Sequence, residues 1–431
     1  MKQTVKILTL NCGSSSAKYS VWEMPQCKML CSGIVERVTV GESFIRHQLP
    51  GREEIREDYE CPNHDLALQL IAKYLTSPKH GVLKSLEEIK AVGHRVVHGG
   101  EKYTKSVRID EEVRNTIKQL FVLAPLHNPP NLIGIDASMR LMPGIPNVAC
   151  WDTAFSAAFL PKRASIYAIP YEYYDKYRIR RYGYHGLSHL YVAKRAAALL
   201  GKEALETNLV SLHIGNGASV TAVKNGIACD QSLGFSTCGE GLVMGTRCGD
   251  LDPEVPLTLM EKEGLSIEEV REIMYRKSGV LGISGKYTDR RDILKAAEDG
   301  DKQCQLALEV ECYRLKKYIG AYAAIIGGID AVIFTAGIGE NSWVHRMKAC
   351  DGLEFLGIRL DQEKNRKAIG REAGENDISS PNSTVRVFVI PTDEELVIAV
   401  DTFAILMGEY DVHTNFRYPF EASDFVPSYL K

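Results

Sequence analysis

The chain has 431 residues, more than one small core needs, and its 45% hydrophobic and 25% charged residues are the balance of a globular protein of two or three domains. A formal net charge of -3 excludes a broad basic field for nucleic acid, though a local basic cleft is compatible with it. Eleven cysteines, an odd number with no C-x-x-C pair, read as reduced thiols of a cytosolic chain rather than as a disulfide framework.

The apolar part of MKQTVKILTL is too short for a signal peptide and reads as a first β-strand. A turn, NCGSSSAK, follows, then a strand YSVWEM, a tight turn, and a third strand KMLCSGIVER. Residues 91–97 read as a strand carrying Arg95 between His94 and His98, and residues 110–123 as a helix ended by Pro125. A short strand at 147–151 delivers Asp152 to its end, and a helix spans 187–200. From Asn208 the opening layout recurs: strand NLVSL, turn HIGNGAS, strand VTAVKN, a turn at Asn225-Gly226, strand IACDQSLG. Two such units, each opening a half of the chain, predict a duplicated domain.

Asp252-Pro253 reads as a helix start. Leu308, Cys312, Leu315, Ile319, Tyr322 and Ile326 form the stripe of a long amphipathic helix. Residues 321–338 are interrupted by Gly327, Gly328 and Asp330, so they read as helix end, turn and buried strand rather than a membrane span. Residues 385–390 are another strand, and Thr392 with Glu395 predicts a capping box opening the last helix. Strands alternating with helices indicate an α/β fold.

Three glycine turns follow strands: NCGSSSAK with Lys18, HIGNGAS, and TAGIGENS. Small residues let backbone N–H groups approach phosphate oxygens, and hydroxyls add donors. No G-x-x-x-x-G-K-[ST] string occurs, which excludes a P-loop. Arg95 and Arg247, each beside glycines, suit a guanidinium that forks onto carboxylate or phosphate, with a surface ion pair as the alternative. His185 and His189 have a zinc-compatible spacing, but Gly186 is expected to interrupt the helix there, and no third ligand is near in sequence. Asp152 suits either a helix cap or a metal or nucleophile positioner, and Glu394 is free to meet Mg²⁺.

In this order the strings NCGSSSAK, HRVVHGG, APLHNPPN, DTAF, RRYGYHG, HIGNGAS, GLVMGTRCGDLDP, DRRD, GIGEN and the acidic pair in PTDEELVIA resemble the acetate kinase (acetokinase) family, part of the acetate and sugar kinase, heat-shock chaperone and actin superfamily. The resemblance implies an α/β fold of two duplicated actin-like (ribonuclease H-like) domains with an interdomain cleft. The expected domains are residues 1–151 plus 395–431, closed by the C-terminal helix, and residues 152–394, which bind nucleotide. It implies ATP-dependent phosphorylation of acetate to acetyl phosphate by direct in-line transfer, with ADP as the other product. Mg²⁺, replaceable by Mn²⁺, would be held by Asn11 and Glu394. Asp152, His185 and Arg247 match the catalytic set. Arg95 matches the arginine for the substrate, and Val97, Leu126 and Tyr184 the pocket for its methyl group. Ser14, Ser16 and Lys18 match the first phosphate loop, and His213, Ile214, Gly215, Asn216 and Gly217 the second. Asp289, Arg290 and Arg291 match the adenosine contacts, and Gly337, Ile338, Gly339, Glu340 and Asn341 the third nucleotide loop. A cytoplasmic homodimer that closes over its ligands, without nucleic-acid or membrane partners, is also implied.

The chain departs from the family pattern in places. GFSTCGEG at 234–241 is one residue longer than usual and lacks its proline. Tyr184 stands where phenylalanine is common, Ser156 replaces a histidine, Trp151 a phenylalanine and Asp393 an asparagine. The aromatic tail 410–431 extends past the usual end. The loop leaves propionate kinase as an alternative, since one methylene in an apolar pocket is worth about 1–3 kcal/mol. A non-metabolic ATPase of the same superfold would not need Arg95, Arg247 and His185 together, and the DRRD and GIGEN strings argue against a pyrophosphate-using relative.

Overall fold

The computed structural model describes residues 4–237 and 239–430, which fall into two compact units, Met1–Ala158 with Asp393–Lys431 and Phe159–Thr392. Cys238, within the 234–241 segment, lies outside the described residues, as do residues 1–3 and 431.

The first unit is built on an eight-stranded sheet. β1 (Val5–Cys12), β2 (Ser16–Met24) and β3 (Lys28–Glu36) form an antiparallel meander extended by β4 (Phe44–Gln48) and β5 (Ile55–Asp58). On its other side β1 takes β6 (Ile89–Val96) in parallel, and β6 takes β8 (Asn147–Trp151) in parallel, with β7 (Val107–Arg108) at the edge. A parallel neighbour requires a crossover, and the Asn128–Leu141 helix supplies it between β6 and β8. β8 is buried throughout, and after Asn147 it reads as an unbroken apolar run. One core cluster joins Leu8, Leu10, Tyr19 and Val21 to Leu68 and Ile71, and a second joins Val96, Ala149 and Trp151 to Ile117, Leu132 and Ile135.

The second unit repeats the plan. β9 (Leu209–Ile214), β10 (Ala218–Lys224) and β11 (Ile227–Gln231) form the meander, β12 (Ala331–Thr335) adds in parallel to β9, and β14 (Arg386–Val389) in parallel to β12, with β13 (Asn376–Asp377) at the edge. The shared strand order is β3-β2-β1-β6-β8 in one sheet and β11-β10-β9-β12-β14 in the other. The chain is therefore a duplicated ribonuclease H-like α/β fold, and the glycine turns NCGSSSAK and HIGNGAS occupy the same place, between the first and second strands of each unit.

The expected long helix is Lys302–Ile326, stopped by left-handed Gly327. Among the described residues no helix is long and apolar enough to cross a membrane. Two local expectations are corrected. Asp393, not Thr392, caps the last helix, Glu394–Met407, its side chain accepting from the Leu396 N–H at 3.3 Å. Aspartate is the stronger cap, and the Thr392 hydroxyl expected to do this work is instead bonded to Ser188 at 2.8 Å. Gly186 does not interrupt a helix either: it opens Gly186–Leu199, and the break falls on His185, in the left-handed region at φ 57°.

Candidate active site

In the first unit four polar side chains converge at the ends of adjacent strands. Asn11 lies near the end of β1, Arg95 near the end of β6, Asp152 just past β8, and Glu394 at the first turn of the last helix. Neighbouring parallel strands end together, so residues 84 and 57 apart in sequence meet. Arg95 Nε donates to Asp152 Oδ1 at 3.1 Å while Nη2 bonds the other carboxylate oxygen, a two-pronged pair. Arg95 Nη1 stands 3.5 Å from Asn11 Oδ1, and Nε 3.8 Å from Glu394 Oε2. Burial disfavours the guanidinium charge, but Asp152 and Glu394 outweigh it and hold Arg95 more firmly protonated than a free arginine. Burial pushes the Glu394 carboxyl up to about 7; Arg95 pulls it down and Asp152 pushes it up.

Lys18, on β2 directly across from Asn11, and Ser14 are exposed, and Ser16 is half-buried, its carbonyl accepting from the Gly13 N–H at 2.8 Å to close the turn. Val97 is buried and Leu126 exposed. Asn131, which the sequence reading used only as part of the APLHNPPN string, fastens this unit's candidates together. Its Nδ2 donates to the Cys12 carbonyl at 2.7 Å, and its Oδ1 accepts from the Val97 N–H at 3.1 Å. Asn128, one turn earlier, accepts from the His98 N–H and donates to the His98 carbonyl. Two asparagines three apart at a helix start were the available signal.

In the second unit the candidates gather round the β9–β10 turn. The Gly215 N–H bonds the Gly217 carbonyl at 2.9 Å, and the Gly245 N–H bonds the Asn216 carbonyl at 3.0 Å. A methyl group on Gly245 would fall 2.0 Å from Asn216 Oδ1, so the Asn216 side chain packs against the bare glycine backbone. A methyl group on Gly217 would lie 3.4 Å from Arg247 Nη1 and 3.6 Å from His185 Nε2, so both side chains border the same glycine. Arg247 Nη1 donates to the Thr237 carbonyl at 2.8 Å. The His185 ring stacks on His213 with centroids 4.1 Å apart, and His213 Nδ1 lies 2.8 Å from Ser188 Oγ. Tyr184 is buried, its hydroxyl donating to the Phe235 carbonyl at 3.0 Å. Glu240 ties the altered loop to Arg181, which also pairs with Asp230 at 2.9 Å.

The remaining candidates divide by exposure. Asp289 caps the Arg290–Glu298 helix and pairs with the exposed Arg291. Arg290 is instead buried, paired with Glu311 at 2.9 Å, a support beneath that helix. Gly337 and Asn341 are exposed on the short Ala336–Asn341 helix, with Ile338 half-buried and Gly339 buried. Glu340 is buried and accepts from the N–H groups of Ala336 at 2.8 Å and Thr392 at 3.1 Å; burial raises its carboxyl, and the Thr392 N–H and Arg371 partly offset this. Ile214 is the buried last residue of β9. Arg346, which the sequence reading did not single out, is fully buried and donates to the carbonyls of Gly339 and Glu340 at 2.8 and 3.1 Å, fixing that helix's end.

The sequence profile described as the Acetokinase family matches residues 6–400. An acetate kinase of Geobacter sulfurreducens is 53% identical over 420 residues, covering 97% of this chain and 99% of that one. The crystal structure of Porphyromonas gingivalis acetate kinase superposes with a TM-score of 0.88 at 47% identity, over 93% of this chain and all of that one. A propionate kinase from Francisella tularensis subsp. tularensis SCHU S4 follows at a TM-score of 0.84 and 37% identity, over 92% of this chain and 98% of that one. Ordered motifs, duplicated fold and near-complete coverage agree: this chain belongs to the acetokinase family and is a kinase with a carboxyl group as phosphoryl acceptor and ATP or ADP as co-substrate.

Proposed function

We propose that this chain phosphorylates acetate reversibly with Mg-ATP, giving acetyl phosphate and ADP. The observation that carries the reading is the Arg95 cluster: a guanidinium held on one edge by Asp152, with Asn11 and Glu394 close by. An acceptor carboxylate is ionised at neutral pH and needs no base. One of its oxygens attacks the γ-phosphorus, the new O–P bond forming as the bond to the β,γ-bridging oxygen breaks and ADP leaves. Asp152 then serves as a positioner of Arg95, and Arg95 orients the acceptor. Arg247 and His185 offset the charge on the phosphoryl oxygens, the main task in this chemistry. Lys18, Ser14 and Ser16, the 213–217 turn, and the 289–291 and 337–341 segments serve the nucleotide, with Val97, Leu126 and Tyr184 serving the methyl group.

The oxygen donors Asn11 Oδ1 and Glu394 suit Mg²⁺, and a half-buried carboxyl raised to about 7 is one that a cation would return to its charged form. Among the described residues no three His, Cys, Asp or Glu side chains gather as a closed metal cage, and Mg²⁺ shared with substrate phosphates and water needs none. Mg²⁺, when bound, supplies charge neutralisation on the phosphates. We further infer a cytoplasmic homodimer, by the family resemblance.

The reading is tested by incubating the purified protein with Mg-ATP and acetate, propionate or butyrate and trapping acyl phosphate as its hydroxamate. Acetate is expected to be preferred. Preference for propionate would move the substrate and keep the chemistry; nucleotide binding without any acyl phosphate would overturn the reading.

A further inference from the structure

Stacking on His213 fixes the plane of the His185 ring but not which way its nitrogens point, because a half-turn of the ring exchanges Nδ1 with Cδ2 and Nε2 with Cε1 within the same stack. A directional contact breaks that symmetry. His185 Nδ1 lies 2.8 Å from Ser219 Oγ, a fully buried hydroxyl on β10 directly across from His213 on β9. Ser219 Oγ also lies 2.8 Å from His189 Nε2, and His189 Nδ1 lies 2.9 Å from Ser211 Oγ. Ser211, His189 and Ser219 are all fully buried, so the row runs from the sheet interior to His185.

We propose that Ser219 and His189 are positioning residues for phosphoryl transfer: they grip the His185 ring at Nδ1 and present Nε2, beside Arg247, as an N–H donor to the transferring group. This rests on the reading of His185 as a contact to that group.

The order of protons follows from counting them. Burial holds His189 neutral, so it has one N–H and one acceptor nitrogen, each with a serine partner. Ser219 has one proton and lies between two imidazoles. Among the described contacts of this unit, His213 lies on the face of His185, Arg247 across Gly217, and His189 behind Ser219. A second positive charge beside Arg247 is unfavourable, which favours a neutral His185. Ser211 therefore donates to His189 Nδ1, His189 Nε2–H donates to Ser219, and Ser219 donates to His185 Nδ1. His185 is left with its proton on Nε2. The left-handed backbone of His185 and its place just ahead of the Gly186–Leu199 helix put His189 one turn further on, over the same serine. In this row the four-residue spacing of the two histidines serves the hydroxyl between them.

The test is a double-mutant cycle on the full chain, with Ser219→Ala, His185→Ala and the pair, supported by thermal melting. Ser219→Ala is expected to lower kcat by about tenfold, the worth of one buried hydrogen bond, with KM for ATP and the carboxylate within about twofold. In the His185→Ala background the same change is expected to cost nothing further. Ser219→Thr, which keeps the hydroxyl, is expected to recover part of the loss. Imidazole ¹⁵N spectra of the unaltered protein are expected to show His185 protonated on Nε2, and this readout stands even if Ser219→Ala does not fold. Unchanged kcat in Ser219→Ala, an equal loss with and without His185, or a proton on His185 Nδ1 would each overturn the proposal. Near-normal kcat in His185→Ala would instead remove the underlying reading of His185.

Discussion

Arg95 and Arg247 are both arginines beside glycines, yet they are held by different means. Arg95 is fixed by a carboxylate, Asp152, whereas Arg247 is fixed by the neutral carbonyl of Thr237. A guanidinium held by a carbonyl keeps its full charge for an anionic ligand. Arg247→Ala is therefore expected to lower kcat on the order of 10³-fold while leaving thermal stability nearly unchanged, since the side chain is only half-buried. Near-normal turnover in that variant would remove Arg247 from the catalytic set. The raised carboxyl of Glu394 gives a prediction with a definite sign. Below about 7 the group holds a proton, and a cation must displace it; above about 7 the carboxylate is ready. Mg²⁺ affinity, measured as Mg²⁺-dependent nucleotide binding, is expected to rise between pH 6 and pH 8, and a flat profile would take Glu394 out of the metal site.

Among the elements, the segment carrying Arg247 depends on a glycine distant in sequence. Gly279 has φ 65°, and a methyl group there would lie 2.2 Å from the Met244 carbonyl oxygen and 2.9 Å from the Arg247 backbone nitrogen. Gly279→Ala is expected to lower both stability and kcat, because the backbone that must yield is the one carrying Arg247. The last helix is anchored from the other direction. Asp401 is buried and accepts from Ser106 Oγ at 2.6 Å, Tyr418 at 3.0 Å and Tyr410 at 3.1 Å, so Tyr410 and Tyr418 fasten the aromatic tail to the helix that starts with Glu394. Further along, Ser428 Oγ lies 3.2 Å from Asp393 Oδ2 at the helix cap. Burial raises the Asp401 carboxyl from 3.8 to about 6, its three hydroxyl partners partly offsetting this. The folded state therefore binds the proton more tightly than the unfolded chain. This group's contribution falls as pH rises from about 4 to about 6, and the ionised carboxylate costs about 3 kcal/mol above that. Comparing denaturant unfolding of the protein and Asp401→Asn at about pH 4.5 and about pH 7.5 is expected to show the variant losing this component. Identical pH dependence in the two would contradict it.

For the molecule as a whole, the duplication was legible because each meander is local: three strands and two turns follow one another directly, so their apolar runs and turn residues survive in sequence. The sheet order was not, because β1 chooses β6, and β9 chooses β12, across long intervening segments that carry no record of the pairing. The site was legible as a set of types, arginines and glycines after strands, together with a family resemblance. Its support was not. Ser219 is one more small residue in a strand, Asn131 one letter of the APLHNPPN string, and Arg346 one arginine among many in the sequence. Their roles depend on what the fold brings against them: a histidine from the preceding helix, two strand ends, and a helix terminus. The last helix's cap was misassigned by one residue because Thr392 and Asp393 are both good caps, and the side-chain contact to Ser188 decided between them.

The central claim is that a carboxylate oxygen becomes bonded to the transferred phosphorus. It is tested most directly by supplying acetate labelled with ¹⁸O in its carboxylate and recording ³¹P spectra of the acyl phosphate formed from unlabelled Mg-ATP. The account predicts ¹⁸O in the bridging position, seen as an isotope shift of the product phosphorus signal. Phosphorus without bonded label, or ATP consumed with no acyl phosphate, would contradict it.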